Sequence, residues 1–326
     1  MKLIIRNSLK VLLAALAIYA AVIFIFSNVQ LIDRRASSFF IPNMQRNGGQ
    51  EMQMMRDLTS NQTKYDAIVL GSSHAYRGYD PRIFEQSGIN LFNAGTSAQN
   101  AKGSLVLYNE YLSNRSDVFV LDIYDPVFEL EGTESNMRLI QNVPTNEAAL
   151  ALVQQEWKMY TVNALAVRMA SFNPIDEAPN NDYIKSGFCE KKGILYAVEP
   201  LNDSVFDANE EMFEAFETMI KQMQADGKRI VLCSHPLPLS AGLHNYHDKF
   251  LARFIPLIQR LGVQYIDLTY YTEGFGINEF ADISHLNQQG VELYNRLLLQ
   301  NTSFNEVVIP QGHRLASSTQ WSSASR

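Results

Sequence analysis

Cysteine is scarce in this chain of 326 residues, which contains only Cys189 and Cys233. Two thiols cannot form the several disulfides that stabilise small secreted domains, and they cannot complete a zinc site made of cysteines alone. One disulfide between them stays open, because a sequence does not give their separation. The glycine-rich patterns that cradle phosphates, G-x-G-x-x-G and the P-loop, are missing as well, so nucleotide binding is not expected.

Basic residues are outnumbered, with 27 Lys and Arg against 34 Asp and Glu and a net charge of −7. This balance argues against a nucleic-acid partner. Hydrophobic residues make up 46% of the chain, enough for a large core and unlike a disordered composition. His244 and His247 are three positions apart but have no acid-rich partner set nearby, so we predict neither a metal nor another cofactor.

The N-terminus carries Lys2, Arg6 and Lys10, followed by residues 11–32 without a charge. At 1.5 Å per residue, a helix over this run would be about 33 Å long, which is enough to cross a hydrocarbon core. The alternative is a cleaved signal peptide, which usually has a shorter apolar region and a small-x-small cleavage site. The residues after Phe26 are Ser-Asn-Val-Gln, a poor cleavage site, so an uncleaved anchor is favoured.

The positive charges also indicate the orientation of this anchor. Three basic residues precede the apolar run, whereas Asp33 offsets Arg34 and Arg35 after it, which favours a cytoplasmic N-terminus. We therefore expect a single-pass protein of the cytoplasmic (inner) membrane, with its domain in the periplasm or outside the cell. The exported part keeps 24 basic against 34 acidic residues, so anionic lipid headgroups would not attract it.

Short apolar runs alternate with helical patterns along the rest of the chain. The run A-I-V-L at residues 67–70 ends in G-S-S, as a buried parallel strand entering a loop does. The other strands are predicted at residues 90–93, 117–123, 228–233 and 263–268, with helices at 99–112, 209–225, 248–261 and 287–299.

This alternation predicts an α/β fold, a flavodoxin-like three-layer sandwich with a five-stranded parallel sheet, preceded by one transmembrane helix. Right-handed crossovers place the carboxyl ends of all strands at one edge, where open α/β sheets bind ligands. The predicted units are an anchor (1–33), a juxtamembrane linker with one helix (34–62), the α/β domain (63–304) and a loose tail (305–326). An insertion at about 127–207, helical at 146–171 and loop-like at 173–182, would cap the active edge.

Two short segments at opposite ends of this domain carry residues for nucleophilic catalysis. The first strand runs into Ser73, and the D-x-x-H pair Asp282 and His285 precedes the last helix. A nucleophilic serine needs a base within hydrogen-bond reach, and that base needs a third group to fix its tautomer. The D-x-x-H spacing lets the carboxylate reach one ring nitrogen of the histidine and leaves the other free to face Ser73. We therefore predict a catalytic triad.

The turn Gly71-Ser72-Ser73, together with Asp282 and His285, resembles the motifs of the SGNH (GDSL-like) hydrolase superfamily. The resemblance covers about residues 65–300 and implies that Ser73 is the nucleophile. A domain of this kind behind an N-terminal anchor is similar to the membrane-tethered branch that acylates cell-envelope polymers, such as the alginate acetylation and teichoic acid D-alanyl-transfer proteins. That branch commonly works beside a membrane-bound O-acyltransferase.

The resemblance also implies an oxyanion hole made by two further blocks of the family. The second block places Ala98 where the family has a glycine that donates its backbone N–H, with Gly95 as the other candidate. The third block should supply an asparagine, but Asp125 stands there, and an ionised carboxylate cannot donate to an oxyanion. Either Tyr124 or another donor replaces it, or catalysis is slow or absent.

Three more residues are candidate substrate contacts, and two of them have a structural alternative. His74 follows the predicted nucleophile and could instead be a satisfied structural histidine. Arg77 could hold a substrate anion or pair with Asp80. His235 ends the fourth strand and would line the site from there.

Three functions remain open from the sequence. The first is a membrane-anchored serine O-acyltransferase or esterase that acts on cell-envelope polysaccharide through an acyl-serine. Its partners would be an acyl donor, a glycan acceptor and a membrane-bound O-acyltransferase. The second is a carbohydrate deacetylase, and the third is a non-catalytic subunit of an envelope-polymer modification complex. Transfer and hydrolysis use the same triad and differ in how well water is excluded, so the residues alone do not separate them.

Overall fold

Five strands form one parallel sheet in the computed structural model, which describes residues 1–31, 34–35, 49–60, 62–171, 182–198, 205–239 and 243–309. The strands are β3 (Ala67–Leu70), β4 (Leu91–Asn93), β5 (Val118–Asp122), β8 (Arg229–Ser234) and β9 (Gln264–Asp267), in the order β4-β3-β5-β8-β9. Every neighbouring pair is parallel. The predicted five-stranded parallel sheet is confirmed, and the bounds of each strand lie within one residue of those predicted.

The strand order places a topological switch point at β3. The chain passes from β3 to β4 on one side and then crosses to β5 on the other, which is the flavodoxin-like order. The loops after β3 and β5 therefore diverge and leave a crevice at the carboxyl edge of the sheet. The segment that follows β3 begins with Gly71 and carries Ser73.

The sheet is covered on both faces because the side chains of each strand alternate between them. Ile68 and Leu70 pack in one core cluster with side chains of the helices over the first face. Ala67 and Val69 pack in a second cluster with side chains of the last two helices. Burial of both faces explains why β3 is a continuous apolar run instead of an alternating one.

The helices and remaining short strands fill the connections. They are α1 (Lys2–Asn28), β1 (Gln30–Leu31), β2 (Arg34–Arg35), α2 (Gly49–Thr59), α3 (Ser73–Gly78), α4 (Pro81–Gln86), α5 (Ala101–Leu107, continued by a π-helical turn, Tyr108–Leu112), α6 (Thr133–Asn142), α7 (Asn146–Gln155), α8 (Met159–Ala170), β6 (Tyr183–Lys185), β7 (Phe188–Cys189), α9 (Glu210–Ala225), α10 (Leu243–Leu261), α11 (Gln288–Gln300) and α12 (Thr302–Val308). Side-chain caps fix several starts: Asp80, Asn100 and Asn287 accept backbone N–H groups of the helices that follow them, which satisfies donors that lack a partner within the helix.

The N-terminal helix α1 is apolar and largely exposed. Its segment Leu3–Asn28 has a mean hydropathy of 2.6 and is long enough to cross a membrane. The C-terminal part of α1 lies against α8. Ile23 and Ser27 are buried there, and the Asn28 side chain donates to the Ala170 carbonyl at 2.8 Å. The predicted N-terminal apolar helix is thus present, and it contacts the insertion.

The unit boundaries differ from those expected at two places. Helix α2, placed in the linker by the sequence, buries Met54, Met55 and Leu58 in the core, so the domain begins before it. Helix α12 extends beyond residue 304, where the loose tail was expected to start, and it buries Phe304 and Val308 in the second cluster. Of the expected loop at 173–182, only Asp182 is among the described residues, and the chain after Ile309 lies outside them as well.

Replacing Phe304 by alanine tests whether α12 belongs to the core. Because this ring is fully buried, we expect Phe304→Ala to lower the free energy of unfolding by about 3 kcal/mol or more. The exposed Glu306 on the same helix provides the control, since Glu306→Ala should change stability by no more than about 0.5 kcal/mol. Denaturant unfolding of the full-length protein in detergent measures both, and equal stability of the two variants would contradict the assignment.

Candidate active site

Ser73, His285 and Asp282 form a continuous hydrogen-bonded chain at the carboxyl edge of the sheet. The Oγ of Ser73 lies 2.8 Å from Nε2 of His285, and Nδ1 of the same ring lies 2.9 Å from an Oδ of Asp282. Ser73 is the first residue of α3 and follows the tight turn that ends β3. The three residues that the sequence proposed as a triad are therefore brought together, with the serine, the base and the orienting carboxylate in the order that nucleophilic catalysis requires.

The environment of Asp282 keeps it ionised. Partial burial alone would raise the pKa of this carboxyl, but hydrogen bonds from the His285 ring and from the backbone N–H groups of Ser284 and His285 outweigh it and hold the pKa well below its usual range. Lys191 lies 3.5 Å from the same carboxylate. An ionised Asp282 fixes the proton of His285 on Nδ1, which leaves Nε2 as an acceptor for the Ser73 hydroxyl.

Two backbone N–H groups, those of Ser73 and Ala98, are candidate donors to an oxyanion. The N–H of Ser73 is at the free N-terminal end of α3, and the structure gives it no acceptor within the described residues. Ala98 has a φ of 50°, the left-handed conformation that a glycine adopts without strain, and its N–H also has no recorded acceptor in the described part of the chain. Ala98 thus has a glycine-like backbone conformation.

Gly95, the other candidate donor, has a different role. Its N–H donates to the side chain of Asn93 at 3.1 Å, so it is not free for an oxyanion. A Cβ at this position would lie 2.6 Å from the Cβ of Ala75 and 2.9 Å from the backbone nitrogen of Tyr76. Gly95 therefore allows the close approach of helix α3, which carries Ser73. This corrects the oxyanion assignment of Gly95.

Three aromatic side chains stack beside the triad. The His74 ring lies 3.6 Å from the Tyr124 ring and 4.2 Å from the His235 ring, centroid to centroid, and 5.2 Å from His285. Burial, with the neighbouring histidines, lowers the pKa of His74 well below its usual range, and burial lowers the pKa of His235 to about 4. Both rings are neutral at physiological pH, so they add no positive charge next to His285.

Tyr124 faces the acid end of the triad. Burial, followed by the nearby Asp125 and Asp282 carboxylates, raises the pKa of its hydroxyl to about 12, while a hydrogen bond with Ser284 lowers it. The hydroxyl therefore stays protonated and lies beside Ser284, whose own Oγ contacts His285 Nδ1 at 3.1 Å. Tyr124 lines the site. Its hydroxyl, which the sequence suggested as the substitute donor to the oxyanion, lies on the carboxylate side of His285.

Asp125 is held by a buried histidine that the sequence did not connect with it. Nδ1 of His247 lies 2.6 Å from Asp125, and Nε2 lies 2.9 Å from Asp267. Burial alone would lower the pKa of His247, but the two carboxylates outweigh it and raise the pKa to about 9. The imidazolium neutralises Asp125, so the assignment of this residue to the oxyanion hole is corrected: its carboxylate is engaged in an ion pair.

Arg77 does not form the predicted alternative pair with Asp80. Asp80 binds Arg82 at 2.6 Å, whereas the guanidinium of Arg77 lies 5.0 Å from the Tyr76 ring centre. Its Nη1 is buried and has no hydrogen-bond partner in the described ranges. Arg77 is one helical turn after Ser73, so it stays a candidate for a substrate anion.

Asp122, the last residue of β5, is a buried acid that no sequence motif identifies. Burial raises the pKa of this carboxyl to about 8, so it is largely protonated at neutral pH.

Cys189 and Cys233 are both buried free thiols, and no disulfide joins them. Within the described ranges, no group of three or more His, Cys, Asp or Glu side chains is arranged to hold a metal ion.

No family model and no curated protein matches the chain. Similar solved structures include a gut microbial diltiazem-metabolizing enzyme, with 12% identity, a TM-score of 0.40 and coverage of 73% of this chain and 46% of that one. A GDSL-like lipase from Bacteroides thetaiotaomicron has 12% identity, a TM-score of 0.38 and coverage of 77% and 91%. A catalytic mutant of an acetylxylan esterase from Geobacillus stearothermophilus has 9% identity, a TM-score of 0.41 and coverage of 77% and 97%.

The chain spans about half the length of the first of these proteins and most of the other two. TM-scores near 0.4 denote a distant likeness, so the chemistry assigned to this chain depends on its own side chains.

The buried ion pair predicts a pH-dependent stability. The pKa of His247 is about 9, above its ordinary value, so the stabilisation is complete below about pH 6.5 and is lost as the pH rises through 9. Removing the cation with His247→Gln leaves the Asp125 carboxylate buried and unpaired, which should cost about 3 kcal/mol at pH 6.5. Denaturant unfolding of the full-length protein at pH 6.5 and pH 9 measures both effects.

The double variant Asp125→Asn with His247→Gln is the control, because it removes the cation together with the more buried of its two carboxylates. It should recover part of the lost stability and unfold with a smaller pH dependence than the wild type between pH 6.5 and 9. A His247→Gln protein as stable as the wild type at pH 6.5 would show that His247 is not the cation that compensates Asp125.

Proposed function

We propose that this protein is a membrane-anchored serine esterase or O-acyltransferase of the SGNH superfamily. The single observation that carries this proposal is the hydrogen-bonded chain from Ser73 through His285 to Asp282, with contacts of 2.8 and 2.9 Å. The position of Ser73 directly after β3, at the switch point of the sheet, supports it, because open α/β sheets bind ligands in the crevice there.

The first half-reaction forms an acyl-serine. The Ser73 Oγ attacks the carbonyl carbon of an acyl ester or thioester, and its proton passes to Nε2 of His285. The N–H groups of Ser73 and Ala98 would hold the resulting oxyanion. The tetrahedral intermediate then collapses: the bond to the leaving group breaks, and His285 returns the proton to that group. Asp282 stabilises the imidazolium while His285 carries the extra proton.

The second half-reaction transfers the acyl group to an acceptor hydroxyl. His285 removes the proton of that hydroxyl, the acceptor oxygen attacks the acyl-serine, and Ser73 regains its proton when the bond to its Oγ breaks. A sugar hydroxyl as the acceptor gives O-acyl transfer, and water gives hydrolysis. Exclusion of water by a bound glycan decides between the two outcomes.

The proposed setting is the outer side of the cytoplasmic membrane, with the N-terminus inside. The apolar helix α1 and the basic residues before its apolar run support this orientation, following the positive-inside rule. An exported glycan or envelope polysaccharide is then the acceptor. A membrane-bound O-acyltransferase that passes acyl groups across the membrane would supply the donor.

Two other functions remain as outcomes of the same test. A carbohydrate deacetylase would use the same triad with water as the acceptor. A non-catalytic subunit would keep the fold without turnover. The charge of Asp125 is the sequence feature that favours a non-catalytic subunit. The ion pair with His247 weakens this argument against catalysis, because a compensated carboxylate repels an oxyanion less.

Incubating the full-length protein in detergent with p-nitrophenyl acetate tests the nucleophile. Intact-mass analysis should show one acetyl group added to the wild type and none added to Ser73→Ala, since the acyl-serine cannot form. Ser72→Ala is the matched control: it removes the neighbouring hydroxyl, leaves the triad in place and should still be acetylated. Adding glycan oligomers then separates transfer, seen as acylated glycan, from hydrolysis.

An adduct that persists in Ser73→Ala would show that another residue is the nucleophile. No adduct in the wild type with either oxygen esters or thioesters would favour the non-catalytic subunit.

A further inference from the structure

The corner between α7 and α8 exposes three large apolar or aromatic side chains. Trp157 is 73%, Met159 68% and Tyr160 46% exposed, and all three lie within residues 157–160, at the start of α8. We call this stretch the α8 corner. Exposed side chains grouped in this way mark a surface that contacts another molecule or a membrane, and tryptophan and tyrosine are typical of the boundary between lipid and water.

Helix α8 lies beside α1 and runs in the same direction. The Tyr19 hydroxyl donates to the side chain of Asn163, and the Asn28 side chain donates to the Ala170 carbonyl. Residue numbers therefore increase together along both helices. At 1.5 Å per residue, Met159 lies about 6 Å from Asn163 toward the N-terminal end of α1, so the α8 corner lies beyond the level of Tyr19 on that side.

The length of α1 sets the depth of Tyr19 in a bilayer. The apolar segment Leu3–Asn28 contains 26 residues, about 39 Å of helix, whereas a hydrocarbon core is about 30 Å thick and is crossed by about 20 residues. A span that starts directly after Lys10 would end at about residue 30, and a span that starts at Leu3 would end at about residue 22. With the N-terminus inside, Tyr19 lies within the outer boundary of the hydrocarbon core in both cases. The α8 corner, which lies deeper than Tyr19, therefore meets lipid.

The charged side chains at the α8 corner are compensated by each other. Lys158 binds Glu131, and its ammonium nitrogen lies 3.4 Å from Glu156. Glu156 is buried and also accepts hydrogen bonds from the side chains of Thr133 and Asn136. The long stem of Lys158 can lie along apolar surface while its ammonium group reaches the lipid headgroups. These charges are therefore compatible with contact between the corner and a bilayer.

We infer that the α8 corner inserts into the outer leaflet of the membrane, so that the domain is attached to the bilayer at two places, α1 and the corner. The inference rests on the membrane anchor of the proposed function and does not depend on the chemistry of Ser73. Trp157, Met159 and Tyr160 insert through apolar surface, so anionic lipids are not required, in keeping with the acidic balance of the chain. Two attachments stop the domain from rotating about α1, which keeps the active edge at a fixed height and direction relative to the membrane.

The two tryptophans of the chain, Trp157 and Trp321, allow a direct test. The variant Trp321→Phe keeps only the indole of Trp157, and the full-length variant is reconstituted into phosphatidylcholine vesicles. A second set of vesicles contains lipids brominated midway along their acyl chains, which quench an indole only on close contact. We expect the brominated lipids to lower the Trp157 emission about twofold or more, because the indole lies at the level of the acyl chains. Iodide in the buffer should quench it little, although the protein itself leaves Trp157 73% exposed.

A tryptophan on the opposite face of the sheet is the matched control. Glu306 is exposed on α12, which packs in the second core cluster, whereas Ala164 of α8 belongs to the first. Glu306→Trp, in the background Trp157→Phe with Trp321→Phe, should be quenched by iodide and not by brominated lipid. Met159→Trp in the same background gives a second position in the corner and should behave as Trp157 does.

The outcomes separate this inference from the proposed function. Quenching of Trp157 by iodide and not by brominated lipid, in protein that floats with the vesicles, would overturn the inserted corner, leave the anchor in place and favour a protein partner at the corner. Equal quenching by brominated lipid at Trp157 and in Glu306→Trp would also overturn the inserted corner. Protein that does not float with the vesicles would overturn the anchor and the corner together. None of these results changes the acylation of Ser73, which is measured separately in detergent.

Discussion

The hydrogen bond between Ser73 and His285 joins positions 212 residues apart, and the rest of the site is arranged around it. The serine comes from the turn after β3 and the histidine from the segment before α11. Two contacts fix how these segments lie: the side chain of Asn295 on α11 accepts the N–H of Asp80 and donates to the carbonyl of Gly78. The end of α3 is thereby held against α11, so the nucleophile and its base have little freedom to separate.

Charge around this pair is compensated by burial and pairing. The neutral rings of His74 and His235 occupy space beside His285 without adding positive charge. His247 neutralises Asp125 at the place where a free carboxylate would oppose an oxyanion. What remains is the ionised Asp282 beside His285, together with the backbone N–H groups of Ser73 and Ala98, which have no acceptor within the described residues. This is the electrostatic pattern that acyl transfer requires.

Much of the fold could be predicted from the sequence because its signals are local. The run at 67–70 is apolar throughout and ends in a small-residue turn, and the D-x-x-H spacing sets Asp282 within reach of His285 whatever the rest of the chain does. The partners that the sequence did not reveal are distant: His247 is 122 positions from Asp125. Gly95 was misassigned because its close approach to Ala75 is a property of packed elements. The core contacts of helix α2 are hard to read from its sequence because the buried face includes the polar side chains of Gln50 and Glu51.

Labelling the full-length protein with a fluorophosphonate, followed by peptide mapping, tests most directly whether these three residues act as a triad. Such a reagent reacts with an activated serine and not with an ordinary one. We expect the label on Ser73 and not on Ser72, with the labelling rate reduced about 10³-fold or more when His285 is replaced by alanine. A label on another serine, or labelling of Ser73 at the same rate without His285, would contradict the triad.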